Sequence, residues 1–110
     1  MAWTARHNFA RISERKARLV VDMVRGMDCD QAVQTLNFTH KRAAHMINRV
    51  LQSAMANANE KEAAMNRLYV AEARVDPGPI IKRWRPKDRG RAHPIQKRTS
   101  HIIISVDERG

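Results

Sequence analysis

Apolar residues occupy every second position in three stretches of the chain, and this two-residue period predicts three β-strands. The stretches cover residues 2–10, 69–76 and 102–106. Because Trp3 and Phe9 fall on the apolar side of the first stretch, we expect both rings in the core. The residues predicted to face inward are Trp3, Ala5, His7 and Phe9, then Tyr69, Ala71, Ala73 and Val75, then Ile102, Ile104 and Val106.

A spacing of three to four residues between apolar side chains predicts a first helix after the first strand. Ser13 is suited to the N-cap, the helix runs through Arg25, and Gly26 favours the left-handed conformation that ends many helices. The predicted buried stripe consists of Ala17, Val20, Val21 and Val24. The basic residues of this helix lie mostly off the stripe, where they either face solvent or contact phosphate.

Two more helices are predicted before the second strand. Asp28 heads a capping box, and the short helix that follows is broken by Asn37 and Phe38. Thr39 then caps a long helix to about residue 59, with Phe38 placed to pack on Ala43. The predicted buried residues are Ala32, Val33 and Leu36 in the shorter helix and Ala43, Ile47, Val50, Leu51, Ala54 and Ala58 in the longer one.

These elements predict an α+β fold in which three helices pack on a three-stranded antiparallel sheet. The length of 110 residues is that of a single domain. We expect a globular body from residues 1–77 and 102–110, with the last four residues as a tail, and an extended β-hairpin from residues 78–101. At roughly 3.3 Å per residue, the hairpin would project on the order of 25 Å from the body.

The hairpin stretch carries most of the positive charge and has too few large apolar residues for a core. Its three prolines and Gly90 exclude a helix and favour two extended arms joined by a turn near residues 86–90. Eight cations, Lys82, Arg83, Arg85, Lys87, Arg89, Arg91, Lys97 and Arg98, are opposed by Asp88. A lone basic ribbon is marginally stable in water, so the pattern predicts an anionic partner that completes it.

The whole chain has a formal net charge of +10, from 21 Lys and Arg against 11 Asp and Glu. Because the charge is concentrated in one stretch, it indicates a polyanion partner rather than a basic surface kept for solubility. We expect no membrane partner, since the basic stretch is not an amphipathic helix and no apolar run has the length of a membrane span. A single cysteine, Cys29, excludes an internal disulfide and a cysteine zinc site and favours a reducing, cytoplasmic environment.

Catalytic motifs are missing from the sequence. The five histidines are scattered over different predicted elements, and no pair has the i, i+4 spacing of a helical metal site. No nucleophile elbow and no phosphate-binding glycine loop occurs. We therefore expect no enzyme activity, no cofactor and no metal.

The arms of the hairpin suit phosphate contacts, which position a protein on nucleic acid without reading bases. Trp84 either stacks on a base or packs on an arginine stem. Two other functions remain open at this point. An architectural DNA-binding protein would use paired ribbon arms and form a homodimer. A ribonuclease would need two converging histidines, for which His40 and His101 are the residues to test.

Three motifs resemble the bacterial large-subunit ribosomal protein L twenty-two family. The first is Arg-Lys-Ala-Arg-Leu-Val-Val-Asp-Met-Val-Arg-Gly at residues 15–26, and the second is Leu-Gln-Ser-Ala-Met-Ala-Asn-Ala-Asn at residues 51–59. The third follows the hairpin from Val75-Asp76 through Gly78-Pro79, Lys82-Arg83, Pro86 and Gly90-Arg91-Ala92 to the Lys-Arg-Thr-Ser-His sequence at residues 97–101. Together the motifs cover nearly the whole chain at matching spacing.

The resemblance implies a structural protein that binds large-subunit ribosomal RNA and helps it to fold during assembly. It implies a body near the exit of the nascent-chain tunnel and a hairpin that threads inward between RNA segments. The hairpin tip would form part of the tunnel wall, close to the nascent peptide, and would influence macrolide antibiotics through the shape of the tunnel. Neighbouring large-subunit proteins are the other implied partners, in the cytoplasmic ribosome, and no homo-oligomer is expected.

The resemblance also assigns residues to these contacts. The implied RNA-binding residues are Arg15, Lys16, Arg18, Lys82, Arg83, Trp84, Arg85, Lys97, Arg98, Thr99, Ser100 and His101. The implied tunnel-facing tip comprises Pro86, Lys87, Asp88, Arg89, Gly90, Arg91 and Ala92.

The sequence departs from the family pattern in two places. Lys87-Asp88 replaces the usual Arg-Ala after the tip proline, and Asp88 would weaken RNA attraction there or pair with a neighbouring arginine. Pro94 stands where a basic or polar residue is common, so we expect an interruption of hydrogen bonding on the returning arm.

Overall fold

A computed structural model describes residues 2–87 and 91–109 of the chain. The strands are β1 (Trp3–Ala10), β2 (Leu68–Pro77), β3 (Ile81–Lys87), β4 (Arg91–Lys97) and β5 (Ser100–Glu108). The helices are α1 (Glu14–Val24), α2 (Cys29–Phe38) and α3 (Arg42–Glu60), and a short 3-10 helix covers Met65–Arg67. No helix in this described part is long and apolar enough to cross a membrane.

The core sheet contains three antiparallel strands in the order β1-β5-β2. The middle strand, β5, pairs Ile104 with Ala5 of β1 on one side and with Ala73 of β2 on the other. Its residues Ile102, Ile104 and Val106 are fully buried as predicted, and Ile103 and Ser105 on the opposite face are buried as well. Three helices and this sheet confirm the predicted α+β fold.

Helices α1 and α3 bury the stripes predicted from their spacing, whereas in α2 Ala32 and Leu36 are buried as predicted and Val33 is only partly buried. Every stripe residue predicted for α1 has no exposed surface, and those of α3 are at most 4 % exposed. Alanines at three of the six predicted α3 positions allow the helix backbone to lie close to its neighbours. Gly26 has a φ of 85°, which confirms the left-handed stop after α1.

The prediction that Phe9 is a core residue is wrong. Between His7 and Ala10, β1 holds one residue more than the facing segment of β5, which is a β-bulge. Phe9 has a φ of 58° and is 59 % exposed, and Ala10 takes the inward position instead. The Phe9 ring contacts the His101 ring edge to face, with 4.9 Å between centroids.

A second bulge makes the predicted alternation of β2 wrong in its first half. Val70 pairs with Val106 and Glu72 pairs with Ser105, so two residues of β2 oppose one of β5. The inward residues before the bulge are therefore Leu68 and Val70 rather than Tyr69 and Ala71. After the bulge, Ala73 and Val75 face inward as predicted.

The predicted cap and staple between α2 and α3 are also wrong. Phe38 belongs to α2 and is 83 % exposed, so it does not pack on Ala43. The Thr39 hydroxyl donates to the carbonyl of Thr35 at 2.7 Å and so closes α2 instead of capping α3. The longer helix, α3, begins at Arg42, three residues after Thr39, with Lys41 at its N-cap position.

The segment predicted as a C-terminal tail extends the central strand and is anchored at its end. Arg109 Nε donates to the carboxylate of Asp28 at 2.7 Å, and another guanidinium nitrogen donates to the carbonyl of Gly26 at 3.0 Å. The same guanidinium lies 4.5 Å from the centre of the Tyr69 ring. Asp28 stands at the N-cap position of α2 but makes no capping bond, so the predicted capping box does not form.

Candidate nucleic-acid interface

A cleft of about 820 Å³ opens where the starts of α1 and α3 meet the end of β4. We call it the basic cleft. Its lining residues are Arg11, Ile12, Ser13, Lys16, Leu19, Lys41, Arg42, Ala43, Lys97 and Arg98. Three separate parts of the sequence contribute to it, because the turn after β1, the turn after α2 and the returning arm of the hairpin all end at this corner of the body.

Six of the ten lining residues are cations, and none is an acid. All six are exposed, and none makes a side-chain hydrogen bond or ion pair with any described residue. Like charges gathered in one concave surface repel one another and focus a positive potential. An anion that enters the cleft would therefore relieve repulsion and meet donors that have no partner within this part of the chain.

The start of α3 adds its backbone to the positive potential of the basic cleft. Lys41 occupies the N-cap position without a capping side-chain bond, and the first turn contains no acid. The first amides of a helix have no intrahelical acceptors, and the helix dipole is positive at this end. The positive end of the α3 dipole therefore lies beside the Lys41 and Arg42 residues that line the cleft.

The cleft brings together Lys16, Lys97 and Arg98 of the predicted RNA-binding set. Sequence reasoning missed Arg11, Lys41 and Arg42. The available signal was their position, since Arg11 lies two residues before the α1 cap and the Lys41-Arg42 pair starts α3. Basic residues at helix starts oppose the helix dipole, so they indicate a function other than helix stability.

Arg18 of the predicted set has partners inside the protein. Its guanidinium donates to the carbonyl of Val75 at 3.0 Å and lies 3.0 Å from the Glu14 carboxylate. Arg25, two turns along α1, donates twice to the carbonyl of Ala73, at 2.7 and 3.1 Å. These bonds cover the outer edge of β2 and fix α1 against the strand that leads into the hairpin.

Strands β3 and β4 form the two arms of the hairpin as an antiparallel pair. The register runs from Ile81 opposite Lys97 to Lys87 opposite Arg91. Trp84 pairs with Pro94 without a register shift, and the expected interruption of hydrogen bonding at Pro94 stays a prediction. The tip prediction for Asp88, Arg89 and Gly90 lies outside the described residues, and the reach of the hairpin stays a prediction.

Gly78, Pro79, Thr99 and Ser100 form the hairpin root, where the arms leave the body. The Gly78 amide donates to the carbonyl of Thr99 at 3.0 Å, and the Thr99 hydroxyl donates to the carbonyl of Pro79 at 2.6 Å. Thr99 is 3 % exposed and Ser100 is fully buried. Burial of these two side chains favours a structural role at the hairpin root, and their predicted contact with RNA stays a prediction.

His101 of the predicted set also has a contact within the body. Its Nδ1 accepts the backbone amide of Phe9 at 3.1 Å, in addition to the contact between the two rings. This bond gives an acceptor to the Phe9 amide, which lies in the β1 bulge, where the regular pairing of β1 with β5 is interrupted. His101 is half-buried, so part of its ring remains at the surface beside the exposed Phe9.

The lone cysteine, Cys29, is the first residue of α2, and its side chain is buried. Cys29 is 1 % exposed, and burial, with smaller contributions from the nearby Asp30 and Asp28 charges, raises the pKa of its thiol to about 11. A thiol held protonated in this way is a poor nucleophile. Within the described ranges, no group of three or more His, Cys, Asp or Glu residues is arranged to hold a metal ion.

The chain is similar to known proteins along almost its whole length. The family model described as Ribosomal protein L22p/L17e matches residues 5–107. A curated relative, the large ribosomal subunit protein uL22 of Sorangium cellulosum (strain So ce56), is 48 % identical over 103 residues, which cover 92 % of each chain. Both matches are to ribosomal proteins. The chain belongs to the ribosomal protein L22p/L17e family, as its three motifs predict.

Proposed function

We propose that this chain is a structural constituent of the large ribosomal subunit that binds large-subunit ribosomal RNA. The basic cleft and the two hairpin arms form its RNA-binding surface, which supports RNA folding during assembly. The observation that carries the proposal is the convergence of six cations in one cleft, at the point where the hairpin leaves the body.

Charge and position together support RNA as the ligand. The cations of the basic cleft make no bonds within the described part of the chain, so they are available for phosphate. Arginine and lysine contacts to phosphate supply most of the affinity of proteins for nucleic acid without specifying sequence. Lys97 and Arg98 belong to the returning arm, so the cleft continues directly into the hairpin.

We assign different roles to the basic residues of α1. Arg15 and Lys16 are exposed, and neither makes a side-chain bond within the described residues, so both are placed to contact RNA. Arg18 is held by Val75 and Glu14 and serves to position the helix. Exposed arm residues Lys97 and Arg98 belong to the contact surface, whereas Thr99 and Ser100 hold the hairpin root.

Membership of the family supports the further part of the proposal. The hairpin enters the RNA, and its tip, residues 86–92, lines the tunnel through which the nascent peptide leaves. The body contacts neighbouring large-subunit proteins, and the protein acts in the cytoplasmic ribosome. The paired arms β3 and β4 provide the extended shape that such an insertion needs.

The RNA contact is tested by measuring the affinity for transcribed large-subunit RNA over a range of salt concentrations. Lys16→Gln with Arg42→Gln removes two charges from the basic cleft, and Arg49→Gln with Lys61→Gln removes two exposed charges outside it, one within α3 and one just after its end. The cleft variant should flatten the salt dependence by about 0.7–0.9 per lost phosphate contact. Equal slopes for the two double variants would show that the cleft does not touch phosphate.

A further inference from the structure

The basic cleft contains an apolar surface that phosphate binding alone does not explain. Leu19 lines the cleft and is 57 % exposed, although the next two residues of α1 are fully buried in the core. Ile12 and Ala43 line the same cleft, and both are buried beneath it. The site therefore presents an apolar floor surrounded by cations.

The chemistry of this surface matches a nucleotide better than a phosphate group. Single-stranded RNA can splay a base out of its stack and pack it against a protein surface while its phosphates contact basic side chains. A continuous duplex would offer phosphates and 2′-hydroxyls to the rim and would keep its bases away from Leu19. The volume of about 820 Å³ is within the range of small-molecule binding sites, so one nucleotide can be accommodated.

We propose that the basic cleft binds one unstacked nucleotide of single-stranded RNA, with its base on Leu19 and its phosphate between Lys16 and Arg42. The inference rests on the proposed function, because it refines how RNA is held at the same surface. Leu19 contributes contact area to any base, and the surrounding cations do not distinguish one base from another. The site thus selects unpaired RNA over duplex RNA without selecting a sequence.

The test compares two probes of equal length and charge with the full chain. One is a five-nucleotide oligouridine, and the other is an abasic ribose-phosphate oligomer with the same number of phosphates. Nuclear magnetic resonance of the Leu19 methyl groups reports whether a base enters the cleft, and a titration gives the two affinities. We expect the methyl signals to shift with the oligouridine and to stay in place with the abasic oligomer.

Two matched variants separate the base contact from general effects. Leu19→Ala should weaken oligouridine binding by about three- to tenfold and leave the abasic oligomer unaffected. Met23→Ala changes a comparably exposed residue one turn along α1 that does not line the cleft, and it should change neither affinity. Both side chains are exposed, so thermal unfolding should confirm that the two variants remain folded.

The outcomes separate failure of the nucleotide site from failure of the proposed RNA-binding function. Equal affinity of both probes, with no effect of Leu19→Ala, would overturn the nucleotide site and leave phosphate binding intact. Failure of oligouridine, the abasic oligomer and transcribed large-subunit RNA to bind at all would overturn the proposed function as well.

Discussion

A β-carbon added to Gly78 would lie 2.5 Å from the hydroxyl oxygen of Thr99 and 3.2 Å from its carbonyl carbon. The two residues therefore occupy complementary space at the hairpin root, where the Gly78 amide also donates to the Thr99 carbonyl. This close approach lies between two separately paired sheets, because β2 and β5 pair as far as Pro77 and Ser100 and the arms resume at Ile81 and Lys97. The contact fixes how the arms leave the body.

Gly78→Ala should destabilise the protein by about 1–3 kcal/mol, because the added methyl group overpacks a site bounded by backbone atoms. Urea unfolding of the variant measures this loss. The double variant Gly78→Ala with Thr99→Ala should lose less than the sum of the two single variants, since removing the hydroxyl relieves the closest contact. Strict additivity would contradict the proposed packing of the two residues.

Thr99→Val should cost about 1–3 kcal/mol, although the side chain keeps nearly the same shape. In the wild type, the buried Thr99 hydroxyl donates to the carbonyl of Pro79 at 2.6 Å. The variant leaves this carbonyl without its donor. Thr99→Ser keeps the hydroxyl and is the matched control, which should retain most of the stability. If Val and Ser variants unfold at the same urea concentration, the hydrogen bond contributes nothing measurable.

Arg18→Gln should reduce stability more than it reduces RNA binding. The carbonyl of Val75 loses a charge-assisted donor, for which we expect a cost of about 1 kcal/mol, since the side chain is half exposed. The matched variant Arg15→Gln removes the same charge from an exposed neighbour and should leave unfolding unchanged while it flattens the salt dependence of RNA binding. If Arg18→Gln flattened the salt dependence and Arg15→Gln reduced the stability instead, Arg18, and not Arg15, would be the residue that contacts RNA.

Cys29 should be unreactive in the folded protein near neutral pH. With a thiol pKa of about 11, roughly one molecule in a thousand carries the thiolate at pH 8. Alkylation by iodoacetamide, followed by mass spectrometry, should be slow in buffer and fast in urea. Equally fast labelling in both would contradict the burial of this side chain.

The same shift predicts a stability effect above pH 9. The folded-state pKa of Cys29 lies above its ordinary value of 9.0, so its contribution is full below pH 9 and is lost as the pH rises towards 11. The loss amounts to roughly 2–3 kcal/mol. Because other groups titrate in this range, the quantity to measure is the difference in unfolding free energy between the wild type and Cys29→Ala. That difference should change between pH 9 and pH 11 and stay constant below pH 9.

The helical stripes and the central strand could be predicted because their periods depend only on local geometry. Val20, Val21 and Val24 share one side of a helix whatever the rest of the chain does, and Ile102, Ile104 and Val106 share one face of a strand in the same way. The bulges at Phe9 and after Val70 could not be predicted by this reasoning. Each bulge depends on which residue of β5 lies opposite, and a period of two applied to one strand contains no information about its partner.

The candidate interface was predictable only in part. The hairpin cations all fall within residues 82–98 of the sequence, and so their concentrated charge is evident without a structure. The basic cleft joins Arg11 and Lys16, Arg42, and Arg98 from three separate segments, and only the packing of α1 and α3 against the sheet brings them to one corner. The structural role of Arg18 was equally hidden, because its acceptor is a backbone carbonyl in β2, 57 residues away.

The most direct test of the central claim is sedimentation of a cell lysate in magnesium, followed by detection of this chain across the gradient. We predict that the chain travels with the large ribosomal subunit in stoichiometric amounts and remains there after a moderate salt wash, because the hairpin is enclosed by RNA. Chelation of magnesium should move it together with the disrupted subunit RNA. Recovery at the top of the gradient, or with DNA as a homodimer, would contradict the proposed function.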